Sequence, residues 1–251
     1  MRIIVFIYGI VSYAVGVASL LYLIGFVSNS VAPKTIDSAP VGAIAPAVVV
    51  DLILIGLFAL QHSLMARPGF KERWTRIVPK PAERSTYVLI TGLVLALLCW
   101  QWQPIPGIIW NVEGAIGKGL LHALFWLGWV ILFASTFMIN HFDLFGLRQV
   151  YLRLKGLPYR PVPFVQVALY RLVRHPIMLG VLIGFWATPY MSVGHLLFAA
   201  VTTVYVFIGI ALEEHDTRQA LGETYERYRL ETPMIVPLPR VRICGRNACT
   251  Q

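Results

Sequence analysis

The stretch IIVFIYGIVSYAVGVASLLYLIGFV, residues 3–27, contains no charged side chain. A helix needs about 20 consecutive apolar residues to cross the hydrocarbon core of a bilayer, and this stretch is long enough. Five more apolar runs follow, of which the fourth is the shortest: 44–65, 86–103, 120–139, 177–190 and 193–212. The sequence therefore predicts an all-α integral membrane protein with about six transmembrane helices, a C-terminal helical hairpin and a cytoplasmic C-terminal helix.

The composition of the chain supports this class. Of its 251 residues, 57% are hydrophobic and 13% are charged, whereas soluble domains carry about 25% charged residues. The mean hydropathy is +0.69. A soluble domain of this length is excluded.

The basic residues alternate between the two sides of the predicted membrane. Their excess gives a net charge of +9, yet only Lys34 and Lys118 lie in the first and third loops between spans. The second and fourth loops each hold six Lys or Arg residues. This pattern follows the positive-inside rule and predicts an inner-membrane protein with both termini in the cytoplasm. The charge thus reflects topology and contact with lipid headgroups, and no nucleic acid or obligate protein partner is predicted.

The cysteines do not indicate a redox or metal framework. The chain has three, Cys99 in an apolar run and Cys244 and Cys249 near the C-terminus. Their number does not predict a disulfide framework, and the spacing of the last two is not typical of a zinc site. No metal is predicted. The predicted regions are a four-helix membrane part, a loop with the hairpin and cofactor-binding segment, and a flexible tail: 1–139, 140–237 and 238–251.

Two clusters of ionisable residues lie at neighbouring helix ends. In RHPIMLG, residues 174–180, Pro176 suits the first turn of a helix because its missing N–H is not needed there, which makes His175 the predicted cap. Glu213 and Glu214 end the last run, roughly 9 Å further toward the cytosol than His175 by the helical rise. A helix N-terminus favours a carboxylate, and an acidic pair suits a cation or ribose hydroxyls. The alternatives are a simple cap with a headgroup-binding arginine, and solvated glutamates.

These motifs resemble those of a known superfamily. RHP-I-M-L-G, the paired glutamates and GETYERY at 222–228 resemble the isoprenylcysteine carboxyl methyltransferase-like membrane enzymes, although Met178 stands where many members have tyrosine. FMINHFDLFGLRQVYL at 137–152 resembles the nurim-related branch, and within it the bacterial enzymes that methylate methanethiol, over nearly the whole chain. The resemblance implies methyl transfer from S-adenosyl-L-methionine to methanethiol, giving dimethyl sulfide.

The resemblance also implies a set of residues that bind S-adenosylmethionine. They come from the hairpin and the segment after it, and they are Arg174, His175, Met178, Leu179, Gly180, Glu213, Glu214, Tyr225 and Tyr228.

The motif NHFD, residues 140–143, supplies the predicted catalytic pair. A simple thiol is mostly protonated at neutral pH, whereas the thiolate is the nucleophile. His141 is predicted to accept the thiol proton, with Asp143 orienting the imidazole ring. Because residues two apart do not face each other on a regular helix, the helix must end near Asn140. Asn140 and Arg148 are further candidates for binding the substrate or the cofactor carboxylate. The alternative is a capping aspartate and a packed histidine.

Two other functions remain open at this stage. One is a methyltransferase for another acceptor, such as a prenylcysteine, an amine headgroup or a different thiol. The other is a non-catalytic or haem-associated nurim-like protein, since His62 and His122 lie within predicted spans. A histidine bonded to a neighbouring helix is the commoner case. Asp51 and His195 are predicted near the outer face, away from the site.

Overall fold

The computed structural model describes residues 1–38 and 42–237. The predicted tail at 238–251, with Cys244 and Cys249, lies outside the described residues. The helices are α1 Arg2–Val27, α2 Ile44–Ala66, α3 Pro68–Trp74, α4 Lys80–Gln101, α5 Ala115–Ile139, α6 His141–Leu144, α7 Leu147–Lys155, α8 Leu169–Leu172, α9 Pro176–Trp186, α10 Val193–Leu221 and α11 Glu223–Glu231. The strands are β1 Ile108–Asn111 and β2 Tyr190–Ser192.

The predicted all-α membrane class is confirmed. Within the described part of the chain, five helices are long and apolar enough to cross a membrane, namely α1, α2, α4, α5 and α10. The fifth predicted run forms α9, which has only 11 residues, or about 16 Å at the helical rise. It is shorter than the predicted run 177–190 because the chain leaves the helix at Ala187 and enters β2. By contrast α10 has 29 residues and extends about 43 Å.

A small sheet joins the loop between α4 and α5 to the loop between α9 and α10. β1 and β2 pair antiparallel, with Trp110 opposite Met191, and the indole Nε1 of Trp110 donates to the Thr188 carbonyl at 2.9 Å. The all-α prediction included no strand, so it is wrong for these two short segments. Strands of four and three residues are too short to show an alternating pattern, so only the pairing across the chain reveals them.

Glycines let two pairs of helices approach closely. A Cβ on Gly92 of α4 would lie 2.9 Å from the Cα of Gly16 on α1. A Cβ on Gly128 of α5 would lie 2.7 Å from the carbonyl oxygen of Gly180 on α9. Without apolar burial to drive association inside a bilayer, helices pack most closely where such small residues meet. The packing of α5 on α9 fixes the end of α5 relative to the start of α9.

An aromatic core fills the half of the bundle next to β1 and β2. Phe26, Trp102 and Phe198 are fully buried there, and the Trp102 ring meets the other two edge to face with centroids 6.1 and 5.6 Å away. Asp51 and His195 are buried at this end, as predicted. Asp51 accepts from the Gln103 amide at 2.8 Å, and His195 is bonded to the Phe185 carbonyl at 3.0 Å.

Candidate active site

One cluster of charges lies between the start of α9 and the C-terminal part of α10. Arg174 donates from Nη2 and Nε to Oε1 of Glu214 at 2.7 and 2.8 Å. Nε2 of His175 lies 3.1 Å from the same oxygen, and Nε of Arg229 lies 3.1 Å from Oε2. Arg174, His175 and Glu214 are all buried. One carboxylate therefore holds two guanidinium groups and an imidazole together.

The local sequence explains how α9 presents these side chains. His175 is the N-cap residue and Pro176 stands at the first helical position, as predicted. The backbone N–H groups of Arg174 and His175 donate to the carbonyls of Pro233 and Met234, at 2.9 and 3.1 Å. The segment after α11 is thus bonded along the start of α9. It keeps both side chains directed at α10.

The two glutamates have different environments, which the sequence did not distinguish. Glu214 is buried in the ion-pair cluster, whereas the Glu213 side chain is 55% exposed and its carboxylate lies 3.9 Å from Nδ1 of His175. By the helical rise the sequence predicts the glutamates roughly 9 Å further along the helix axis than His175, and the side chains are long enough for both glutamates to reach the His175 ring. Glu213 is therefore the carboxylate that remains open to a ligand.

An aromatic group adjoins this cluster. Tyr225 and Tyr228 are both buried, and the Phe164 ring meets both edge to face at 6.0 and 5.4 Å. The Tyr228 hydroxyl donates to the Tyr170 carbonyl at 2.6 Å. Burial raises the pKa of Tyr225, and it raises that of Tyr228 to about 12. Both phenols are therefore neutral at physiological pH.

The remaining predicted residues of α9 divide between two surfaces. Met178 and Leu179 pack against the cluster formed by Val206, Ile210 and Ile235, on the side of α10 and the C-terminal segment. Gly180 instead faces Gly128 of α5. Its role in the fold is close helix contact.

The chain leaves α5 at Asn140, as predicted from the NHFD motif. Asn140 has a left-handed backbone with φ +113° and caps α6, its side-chain oxygen accepting from the Asp143 amide at 3.0 Å. Asparagine is among the few residues that tolerate this conformation. The break turns His141 back toward α5 and α1.

His141 is held by two hydroxyl groups. Its Nε2 lies 2.9 Å from the Tyr13 hydroxyl and its Nδ1 lies 2.9 Å from the Thr136 hydroxyl. The ring is only 4% exposed and stacks on Phe137 with centroids 4.3 Å apart. Burial lowers the pKa of His141, so the imidazole is neutral at physiological pH.

The predicted pairing of Asp143 with His141 is replaced by other contacts. Asp143 binds Nη1 of Arg148 at 2.8 Å and accepts from the Tyr159 hydroxyl at 3.2 Å. Even on the single turn of α6, residues two apart point in nearly opposite directions. Arg148 also donates to the Arg160 carbonyl at 3.0 Å. Asp143 and Arg148 therefore tie the loop between α7 and α8 to the end of α5.

Tyr170 connects the two clusters. Its hydroxyl donates to the carbonyl of Ser135, next to Thr136, at 3.4 Å, while its own carbonyl accepts from Tyr228. The site that results includes residues that sequence reasoning missed: Tyr13, Thr136, Phe164, Tyr170 and Arg229. The only sequence signal for Tyr13 and Thr136 is a polar group within an otherwise apolar helix.

The intramembrane histidines do not pair with each other. Nε2 of His62 lies 2.9 Å from the Tyr87 hydroxyl of α4, the bonded arrangement expected for a histidine inside a bundle. His122 lies at the opposite end of the bundle, beside Val27 and Ala187. Because of that separation, these two residues cannot ligate one haem. In the part of the chain that the structure describes, no three His, Cys, Asp or Glu side chains are grouped to hold a metal ion.

Comparison with known proteins extends these observations. The NnrU protein family model matches residues 52–220. A methanethiol S-methyltransferase from Mycobacterium tuberculosis is 53% identical over 238 residues, covering 95% of this chain and 98% of that protein. One from Crocosphaera subtropica is 49% identical, covering 94% and 92%. Nurim from Bos taurus is 31% identical, covering 72% and 71%. No solved structure matches the chain.

The fold and the site define the class of protein. Five long apolar helices with a buried polar site at one end make this a multi-pass α-helical membrane protein. The match over residues 52–220 and the near full-length relatives then identify the family. The chain belongs to the NnrU protein family. The methanethiol S-methyltransferases and nurim are its relatives.

Proposed function

We propose that this protein transfers a methyl group from S-adenosylmethionine to methanethiol and so forms dimethyl sulfide. The observation that carries the proposal is a buried, neutral imidazole, His141, beside an ion-pair cluster at the same helix ends. Relatives of 53 and 49% identity over nearly the whole chain bear the name methanethiol S-methyltransferase and support the same reaction.

The donor site in this proposal lies around the start of α9. S-adenosylmethionine carries a carboxylate, an ammonium group, ribose hydroxyls and an adenine ring, and it supplies an electrophilic methyl group on a sulfonium. The exposed Glu213 carboxylate beside His175 suits the hydroxyls or the ammonium. The rings of Phe164, Tyr225 and Tyr228 suit the adenine. Arg174, paired with Glu214, keeps these walls in place.

The acceptor half of the site is the region of His141. A thiol must lose its proton to become a strong nucleophile. A positioned base typically accelerates such a step by about 10² to 10⁴-fold. His141 is neutral because burial lowers its pKa, so it is able to accept that proton. The surrounding rings of Phe137 and Phe145 exclude water, which favours a reaction in which the donor loses its charge.

The proposed location follows from the same features. Basic residues are concentrated at the ends of the helices that carry the site, so this end would face the cytoplasm, where S-adenosylmethionine is made, and both termini would lie there. Methanethiol and dimethyl sulfide are small and apolar and would pass through the bilayer of the inner membrane.

Headspace gas chromatography of membranes supplied with S-adenosylmethionine and methanethiol tests the proposal. Dimethyl sulfide should form with the wild type, and Glu213→Ala should lower its rate at least tenfold by weakening donor binding. Glu223→Ala, an exposed glutamate in the first turn of α11, is the matched control and should leave the rate within twofold. Absence of product with retained donor binding would discard methanethiol as the acceptor, and absence of both would discard the methyltransferase.

A further inference from the structure

The contacts of Thr136 determine which nitrogen of His141 carries the proton. The Thr136 hydroxyl has one hydrogen, and it donates this hydrogen to the Phe133 carbonyl at 2.7 Å. Toward Nδ1 of His141 the same oxygen therefore acts as an acceptor. It follows that Nδ1 carries the proton of the neutral ring. The Nε2 lone pair is then free to accept from the Tyr13 hydroxyl, 2.9 Å away.

Hydroxyl partners allow this ring to change its charge without moving. A hydroxyl both donates and accepts, so Tyr13 is able to donate to the neutral ring and to accept from the imidazolium. Thr136 accepts from Nδ1–H in both states. A carboxylate partner would instead favour the charged form of an imidazole.

The charged groups around the ring are engaged elsewhere. Arg84 of α4 donates to the Leu144 carbonyl at 2.7 Å, and Asp143 of α6 is paired with Arg148 of α7. The titratable side chain that faces the ring from α1 is Tyr13, and its ring also packs edge to face against Phe145. The hydroxyl of Tyr13 is thus the polar group that covers Nε2.

We infer that Tyr13 takes the proton of the acceptor thiol and passes its own phenolic proton to Nε2 of His141, with Thr136 as the positioning residue that fixes the tautomer. This inference rests on the proposed function. It makes Tyr13, which touches the thiol, a catalytic residue. Asp143 has no part in the proton transfer.

The step balances as follows. The S–H bond of the thiol breaks and an O–H bond forms on Tyr13, while the original Tyr13 O–H bond breaks and an N–H bond forms at Nε2. The thiol sulfur uses its electron pair to form the new S–C bond to the methyl group. The bond between that carbon and the donor sulfur breaks, and its electron pair neutralises the sulfonium. His141 is left as an imidazolium, which returns its proton to solvent after product leaves.

The test compares Tyr13→Phe with Tyr8→Phe. Tyr8 lies on the same helix and makes one hydroxyl bond to α4, to Thr86 at 2.8 Å, so the control loses the same oxygen outside the site. At pH 7, Tyr13→Phe should lower kcat/KM for methanethiol by about 100-fold, within the usual range for proton transfer. Tyr8→Phe should stay within twofold.

The pH profile distinguishes proton transfer from a structural role. At any pH below the thiol pKa, the fraction of free thiolate rises about tenfold per pH unit, so the Tyr13→Phe deficit should shrink in the same proportion. A deficit that is constant with pH, or no deficit at all, would overturn the inference. A wild type that forms no dimethyl sulfide would overturn the proposed function instead, before any variant is compared.

A second pair of variants serves if Tyr13→Phe does not fold, as judged by lost binding of S-adenosylmethionine. Thr136→Ser keeps the acceptor oxygen and should retain turnover within threefold. Thr136→Val has the same shape without the oxygen and should lose about tenfold in kcat, with unchanged donor affinity, because the hydrogen bond that fixes the tautomer is gone. Equal activity of the Ser and Val variants would contradict the inference.

Discussion

His141 and His175 occupy equivalent places in the fold, yet their surroundings differ. Each is buried at a helix end, with 4 and 6% of its surface exposed. His175 contacts the Glu214 carboxylate inside a cluster of charges, whereas His141 contacts two hydroxyls and lies among aromatic rings. A charged partner stabilises one protonation state, but neutral partners permit both. The first environment suits holding a ligand and the second suits moving a proton.

Removing the charge of Glu214 should have the largest effect on the molecule. Glu214→Gln leaves the buried guanidinium of Arg174 without its counter-ion, and breaking such a pair costs about 3–5 kcal/mol. The thermal midpoint of the purified protein in detergent should fall by roughly 10 °C. Glu226→Gln is the matched control, because this glutamate also pairs with Arg229 but is 47% exposed. A midpoint equal to that of the control would mean that the cluster does not hold α9 to α10.

Removing the imidazole of His141 should have the next largest effect. We expect this change to lower turnover without weakening donor binding. His141→Ala should lower kcat at pH 7 by about 10² to 10⁴-fold while sparing S-adenosylmethionine affinity, whereas His175→Ala should mainly raise the KM for the donor. Because burial lowers the pKa of His141, the acid limb of the wild-type kcat profile should lie below about pH 6.5. The exposed His215 provides the control variant His215→Ala. Unchanged turnover in His141→Ala would remove this residue from the mechanism.

Separating α9 from α5 should disturb both histidines together. Gly180→Ala places a Cβ against the carbonyl of Gly128, and overpacking of this kind costs about 1–3 kcal/mol. Both stability and turnover should fall. Gly209→Ala on α10, where a Cβ would meet nothing within 4 Å, is the matched control and should not destabilise the protein. If both variants behave alike, the close packing of α5 and α9 does not position the site.

Neutralising Asp143 should have the smallest effect. Its ion pair with Arg148 is partly exposed, and such pairs contribute about 0–1 kcal/mol. Asp143→Asn should therefore change stability by less than about 1 kcal/mol and leave kcat within threefold at neutral pH. A loss of 100-fold or more would restore the dyad of Asp143 and His141 that the sequence first indicated.

Features that depend on neighbouring residues were predictable from the sequence. Apolar runs of about 20 residues placed the spans, Pro176 placed the start of α9, and the spacing of Tyr225 and Tyr228 placed both on one face of α11. The spacing of NHFD required a break at Asn140, and the structure has it. In each case a local rule of backbone geometry decides the outcome.

The partners of the buried polar groups were decided by the tertiary structure. Tyr13 lies 128 residues before His141 in the chain, and Arg174 lies 40 residues before Glu214, so no local pattern connects them. The glycine contacts of α1 with α4 and α5 with α9 set which helix faces meet, and only then does each side chain have a partner. Composition and periodicity thus determined that the chain crosses a membrane, whereas helix packing determined that one histidine faces a carboxylate and the other faces two hydroxyls.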